Sequence, residues 1–145
     1  MQDVLFTPLK RIATPGGDVL HGMKAIDAGF AGFGEAYFSI IEEGVVKGWK
    51  RHNRMTLNFV VPCGEVQVRI YDETRRAFRD FRLGPDNERT YGRLTIPPTY
   101  WVAFGGLGAS TNMMLNVASI PHDPLESDRR DLNAFPWTWL DSQCV

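Results

Sequence analysis

The sequence predicts a single, mainly β domain folded as a small barrel or jelly roll, and three observations carry that expectation. Helical periodicity is scarce along all 145 residues. Short runs rich in Val, Ile, Phe, Tyr and Thr recur between Gly, Pro, Asn and Asp, the pattern of antiparallel strands broken by turns. About eight such runs are enough to close a barrel or stack two sheets, which removes adhesive strand edges. A chain of this length with 43% hydrophobic residues supports one core and is short for two domains, so residues 1–145 are read as one unit.

In chain order the strand candidates are AYFSIIEE (36–43), VVKGWKRH (45–52), TLNFVVP (56–62), EVQVRIYD (65–72), AFRDFRL (77–83), RLTIPP (93–98), YWVAFGGL (100–107) and TNMMLNVASI (111–120). In EVQVRIYD the side chains of Val66, Val68 and Ile70 share one face, and Glu65, Gln67, Arg69 and Tyr71 take the other. VPCGEV supplies a turn, with Pro62 ending a ladder and Gly64 free to take a positive φ. PLESDRRDLNAF (124–135) is the one helix candidate: Asp123 suits the N-cap, Pro124 the first turn, and Glu126 the positive end of the dipole. Trp137 and Trp139 in PWTWLDSQ (136–143) make an apolar patch suited to docking on the barrel or on a partner chain.

The formal net charge is −1 with Lys and Arg spread along the chain, which excludes an extended basic nucleic-acid surface. Cys63 and Cys144 form no C-x-x-C or metal-ligand spacing and fit a reducing compartment. The N-terminal MQDVLFTPLKRIATPGG lacks the pattern of a signal peptide, and no apolar run approaches the roughly 20 residues of a membrane span. A soluble, cytoplasmic protein is expected.

Lys50 and His52 stand two residues apart on a predicted strand and so point to the same side. Their frame is informative. Gly44, five residues, Lys50, one residue, His52, four residues, Leu57, six residues, Gly64 has the spacing of the first cupin motif. Gly92, five residues, Pro98, one residue, Tyr100, two residues, Ala103 has that of the second. Metal-dependent cupins hold their ion with about three imidazoles and a carboxylate, of which only His52 stands in this frame, so no metal is expected.

The sequence resembles the metal-free, nucleotide-sugar branch of the cupins over most of its length. EEGVVKGWKRH resembles the GVxRGLH strand of the dTDP-4-dehydrorhamnose 3,5-epimerases and, more closely, the RGxHxHK strand of the dTDP-4-keto-6-deoxyglucose 3,4-ketoisomerases. LTIPPTYWVAF resembles their IPPxxW strand, and ASIPHDPLESDRRDLNAF their ASxxYDxxDYIRDYxxF tail, with His122 at the tyrosine position. The resemblance implies a cupin jelly-roll barrel with a short C-terminal helix, forming a homodimer through AYFSIIEE. It implies an isomerase or epimerase acting on a nucleotide-linked 4-keto-6-deoxyhexose, dTDP-linked in the related families, for deoxysugar or surface-polysaccharide synthesis. A sugar-nucleotide binding cupin without catalysis is the alternative.

Such chemistry needs a base for the proton next to the ketone, a donor for the enolate oxygen and an acid to return the proton. No cofactor is required, because the substrate carbonyl is the electron sink. His52, with an unperturbed pKa of about 6.5, suits the base. Lys50 suits the oxyanion donor, or the base if burial lowers its pKa. His122 would return the proton from the opposite side. Pyrophosphate calls for local cations: Arg54 falls on the face of Lys50 and His52 if the strand has no bulge, Lys47 and Arg51 on the other, with Arg69, Arg89 and Arg93 as further candidates. Tyr37, Tyr100 and Trp101 can stack on a base or sugar.

Overall fold

The computed structural model describes residues 1–141; Cys144 and the last two residues of PWTWLDSQ lie outside them. The strands are β1 (Leu5–Pro8), β2 (Arg11–Ile12), β3 (Val19–Leu20), β4 (Glu35–Ile41), β5 (Val46–His52), β6 (Leu57–Cys63), β7 (Val66–Asp72), β8 (Ala77–Leu83), β9 (Gly92–Ile96), β10 (Trp101–Gly106), β11 (Asn112–Ala118) and β12 (Ser127–Arg129). Two five-stranded antiparallel sheets, in the orders β1-β9-β6-β11-β4 and β12-β5-β10-β7-β8, enclose the core, and β2 and β3 form a separate ribbon. This is the cupin jelly roll that the resemblance implied. Among the described residues no helix is long and apolar enough to cross a membrane.

All eight strand candidates form strands, each within a few residues of its expected ends. Gly64 takes a φ of +74° in the turn between β6 and β7. The core between the sheets is built from the inward side chains of these strands, among them Ile41, Phe59, Val61, Val68, Ile70, Leu94 and Met114. The N-terminal strands β1 to β3 were not anticipated.

Both outer faces are covered as well. On β6 and β9 a loop from the N-terminal third is held by Arg93, which is wholly buried and donates to Gly22 O at 3.0 Å, Asp27 Oδ2 at 3.1 Å and Ala28 O at 2.9 Å. On β7 and β10 the C-terminal tail lies flat. Gln67 donates to Thr138 O at 2.8 Å and accepts from Leu140 N at 2.9 Å. Trp137 packs toward Trp49 and Trp139 onto Trp137, over the space left by Gly105, where a Cβ would stand 2.5 Å from the Trp139 ring. The tryptophan patch therefore docks on its own barrel.

The C-terminal helix is one 3-10 turn, Pro124–Glu126, with Asp123 as its cap accepting from Leu125 N at 2.9 Å. It does not continue. Ser127–Arg129 instead pairs with β5 from His52 to Lys50, and a second 3-10 turn follows at Leu132–Ala134. The free edge of β5 offers backbone partners that a helix would leave unpaired.

Candidate active site

The site is built on β5. Its ladder with β10 pairs Lys47 with Phe104 and Lys50 with Val102, so Gly48 and Trp49 together oppose the single Ala103. That extra residue is a bulge, and it changes which side chains face inward. Gly48 has a φ of +142°, and a Cβ there would stand 2.6 Å from that of Ala103. Trp49 turns outward into the aromatic cluster, while Lys47, Lys50 and His52 all line one cavity. Lys47 was expected on the opposite face; the bulge brings it round. Arg51 stays outside, donating to Asp128 and Glu73 with its guanidinium 4.8 Å from the Trp101 ring centre.

The cavity holds about 210 Å³. Leu57, Phe59, Val102, Phe104 and Met114 make its apolar walls; Tyr37 and Ser39 enter from β4 and Arg129 from β12. Among the described residues three cationic side chains, Lys47, Lys50 and Arg129, line it together with His52, and no carboxylate does. A site of that composition attracts an anion with an apolar portion. Among the described residues no three His, Cys, Asp or Glu side chains cluster as a metal-binding group.

His52 is buried, and its Nδ1 is hydrogen-bonded to Glu126 Oε1. The other carboxylate oxygen accepts from the backbone N–H groups of Asn53, Arg54 and Met55 at 3.2, 3.0 and 3.2 Å. Burial pushes the Glu126 carboxyl up, but His52 and the amides of Arg54 and Met55 outweigh it and hold its pKa below the usual value. For His52 burial dominates and lowers the pKa, with Lys50 and His122 acting in the same direction and Glu126 opposing them. A neutral imidazole beside an ionised carboxylate follows. The proton then sits on Nδ1, where Glu126 accepts it, and Nε2 keeps its lone pair. Lys50 is pushed down by burial first and by Arg129 second, while Glu126 and Glu35 pull it up.

The other expected residues are dispersed. Arg54 lies beyond the strand, exposed, and donates to Asp123 Oδ2 at 2.9 Å. The three backbone amides that converge on Glu126 curl the chain there, so the alternation of β5 stops at His52. Tyr100 is buried in the core and donates to Asp3 Oδ1 at 2.6 Å; burial and then Asp3 push its hydroxyl up to about 12. Trp101 faces outward and donates to Glu73 Oε2 at 3.1 Å. Arg69 is on the outer face of β7, 4.6 Å over Phe78 and 3.7 Å from Asp80. Arg89 is exposed in the loop before β9. His122 is exposed and does not line the cavity, though its charge reaches His52. Tyr37 is in the lining, and its hydroxyl accepts from Asn116 Nδ2 at 3.0 Å. Sequence reading missed Arg129, and it missed the pairing of Glu126 with His52, having placed Glu126 near the positive end of a helix dipole.

Comparison with solved structures finds a dTDP sugar isomerase from Desulfovibrio desulfuricans G20 with a TM-score of 0.86 and 37% identity, over 94% of this chain and 90% of that one. The chain belongs to the nucleotide-sugar isomerases and epimerases of the cupin fold. A variant of a 3,4-ketoisomerase from Thermoanaerobacterium thermosaccharolyticum, in complex with TDP-4-keto-6-deoxyglucose, shares the fold with a TM-score of 0.75 at 18% identity, over 90% of this chain and 89% of that one. A probable low-salt glycan biosynthesis epimerase of Haloferax volcanii is 28% identical over 99 residues, 64% of this chain and 62% of the relative, so the match spans less than two thirds of that curated protein. No protein-family model matches the chain.

Proposed function

We propose that the protein isomerises or epimerises a nucleotide-linked 4-keto-6-deoxyhexose, in deoxysugar or glycan synthesis. The observation that carries this reading is the His52–Glu126 pair, a neutral imidazole on a fixed carboxylate, opening onto a cavity that, among the described residues, is lined by three cations and no acid. The apolar walls suit a deoxy sugar, and Lys47 and Arg129 suit its pyrophosphate. The bound substrate in the fold relative from Thermoanaerobacterium, TDP-4-keto-6-deoxyglucose, is of this class.

In this mechanism His52 Nε2 removes the proton from a carbon next to the C4 ketone, and the electron pair moves into the carbonyl. Glu126 holds the imidazole in the tautomer with Nε2 bare and stabilises the imidazolium as it forms. Lys50 meets the charge that develops on oxygen. Return of the proton to the same carbon from the opposite face inverts it; return to C4 of the enediol moves the ketone to C3. Tyr37, in the cavity wall, and His122, whose charge reaches His52, are the two candidates for the acid that returns the proton.

We also propose a homodimer formed through β4. Among the described residues that strand pairs in the sheet with β11 alone, and it exposes Tyr37, Phe38 at 61% and Ile40 at 49%. An open apolar edge of this kind is self-complementary across a two-fold axis, and pairing there would put a second copy beside Tyr37. A cytoplasmic setting fits the exposed free thiol of Cys63.

The test is proton NMR of dTDP-4-keto-6-deoxyglucose in deuterated water with the purified protein. Exchange at C3 alone is the mark of a 3-epimerase or 3,4-ketoisomerase, and exchange at C3 and C5 that of a 3,5-epimerase. No deuterium at either carbon, with folded protein, overturns the reading for this substrate.

A further inference from the structure

We propose that Lys50 is a nucleophile as well as a cation: its side-chain amine condenses with the ketone of a bound keto sugar to form an imine. This rests on the keto-sugar reading above and puts an enamine, formed on Lys50, in place of the enolate in that mechanism. Three features of the cavity carry it.

First, Lys50 is half-buried in the lining, between Val102 on β10 and Arg129 on β12. Among the described residues its amine makes no hydrogen bond and no ion pair. Lys47, the other lysine there, is committed: its Nζ donates to Ile40 O at 2.8 Å. Second, among the described residues the lining has no carboxylate to hold an ammonium, and Lys47 and Arg129 stand by as competing cations. Burial and the Arg129 charge favour the free amine, against the weaker pull of Glu126 and Glu35. An amine desolvated beside other cations is the usual form of a carbonyl-attacking lysine. Third, His52 follows on the same inward face of β5, so one strand presents both a nucleophile for the carbonyl carbon and a base for the neighbouring C–H.

The step is balanced without an oxidant or reductant. The free amine of Lys50 attacks the carbonyl carbon, a C–N bond forms, and the carbonyl π pair passes to oxygen, which takes a proton. The carbinolamine loses that oxygen as water to give the C=N bond, protonated as an iminium. His52 then removes the α proton, and the pair moves into the iminium to give a neutral enamine. Reprotonation at carbon restores the iminium, and one water hydrolyses it to the ketone and free Lys50.

Treating the protein with dTDP-4-keto-6-deoxyglucose and sodium cyanoborohydride near neutral pH reduces an iminium to a stable secondary amine. Peptide mass spectrometry should then find one adduct, of the substrate's mass less one oxygen atom, on the peptide bearing Lys50. Lys50→Arg, which keeps the charge and cannot condense, should lose both the adduct and the deuterium exchange while keeping the wild-type melting curve. Wild-type exchange into the sugar with no adduct overturns the imine and leaves the keto-sugar reading standing. So does an adduct on Lys47 alone, or a Lys50→Arg variant that exchanges at the wild-type rate. Absence of both exchange and adduct in the wild type overturns the keto-sugar reading, and the imine with it.

Discussion

His52 is polarised by a residue 74 positions away, and that distance decides what could be read in advance. The inward pairing of Lys50 and His52 is legible because a strand has a period of two. Glu126 is not, because it reaches His52 only after a turn whose backbone amides it gathers itself. Three consequences belong to single side chains. His52→Asn keeps the shape and removes the base, so isotope exchange should fall about 10²- to 10⁴-fold with nucleotide-sugar binding retained; equal loss of binding would mean a structural role. Glu126→Gln removes an interaction that raises the His52 pKa, leaving burial and the Lys50 charge to lower it further. The acid limb of kcat/KM, expected below pH 6.5 in the wild type, should move to still lower pH, with a reduced plateau because the tautomer is no longer fixed. For the second proton, Tyr37→Phe and His122→Asn separate the candidates. The variant that exchanges deuterium but yields no inverted or rearranged product identifies the acid.

At the scale of elements, the strands were legible and the layers over them were not. Alternation in EVQVRIYD correctly puts Val66, Val68 and Ile70 in the core, yet Gln67 on the other face is just as buried, because the tail covers it. Arg93 and Asn58 are buried in the same way on the opposite sheet, under the N-terminal loop. Polar side chains bonded to backbone carbonyls leave no hydrophobic pattern to read. The β5 bulge is a second case: the strand composition shows no extra residue, so Lys47 was assigned to the wrong face; Arg54 left its expected face for another reason, because the chain curls onto Glu126 after His52. Gly48 is the device that permits the bulge, through its positive φ and its approach to Ala103. Gly48→Ala should cost about 1–3 kcal/mol of folding stability. By rotating Lys47 and Lys50 it should also weaken nucleotide-sugar binding more than Trp137→Ala, which disturbs only the outer face. Calorimetry and denaturant titration of the two variants side by side give both numbers.

For the whole molecule, the ionisable groups set how stability depends on pH. The Glu126 carboxyl has a folded pKa below its usual 4.5, and His52 one below its usual 6.5. Both are depressed, so the unfolded chain binds more protons than the native one, and stability must fall as pH drops: first through the His52 range, then through the folded pKa of Glu126. Asp27, Glu73 and Asp128 are depressed too, but water screens their exposed ion pairs and they add little. Tyr100 has the opposite sign. Its hydroxyl, raised from 10 to about 12 by burial and Asp3, contributes stability that is full below pH 10 and lost as pH rises toward 12. The urea midpoint should therefore show a plateau with two arms of separate origin. Glu126→Gln should remove the part of the acid arm that lies below the usual carboxylate pKa of 4.5, deepen the part set by His52 and leave the alkaline arm; Tyr100→Phe should flatten the alkaline arm and leave the acid one, since a phenyl ring fills the same core space and has no proton to lose. If both variants lower the plateau and leave both arms unchanged, the pH response comes from the overall charge of the protein, and neither buried group governs it.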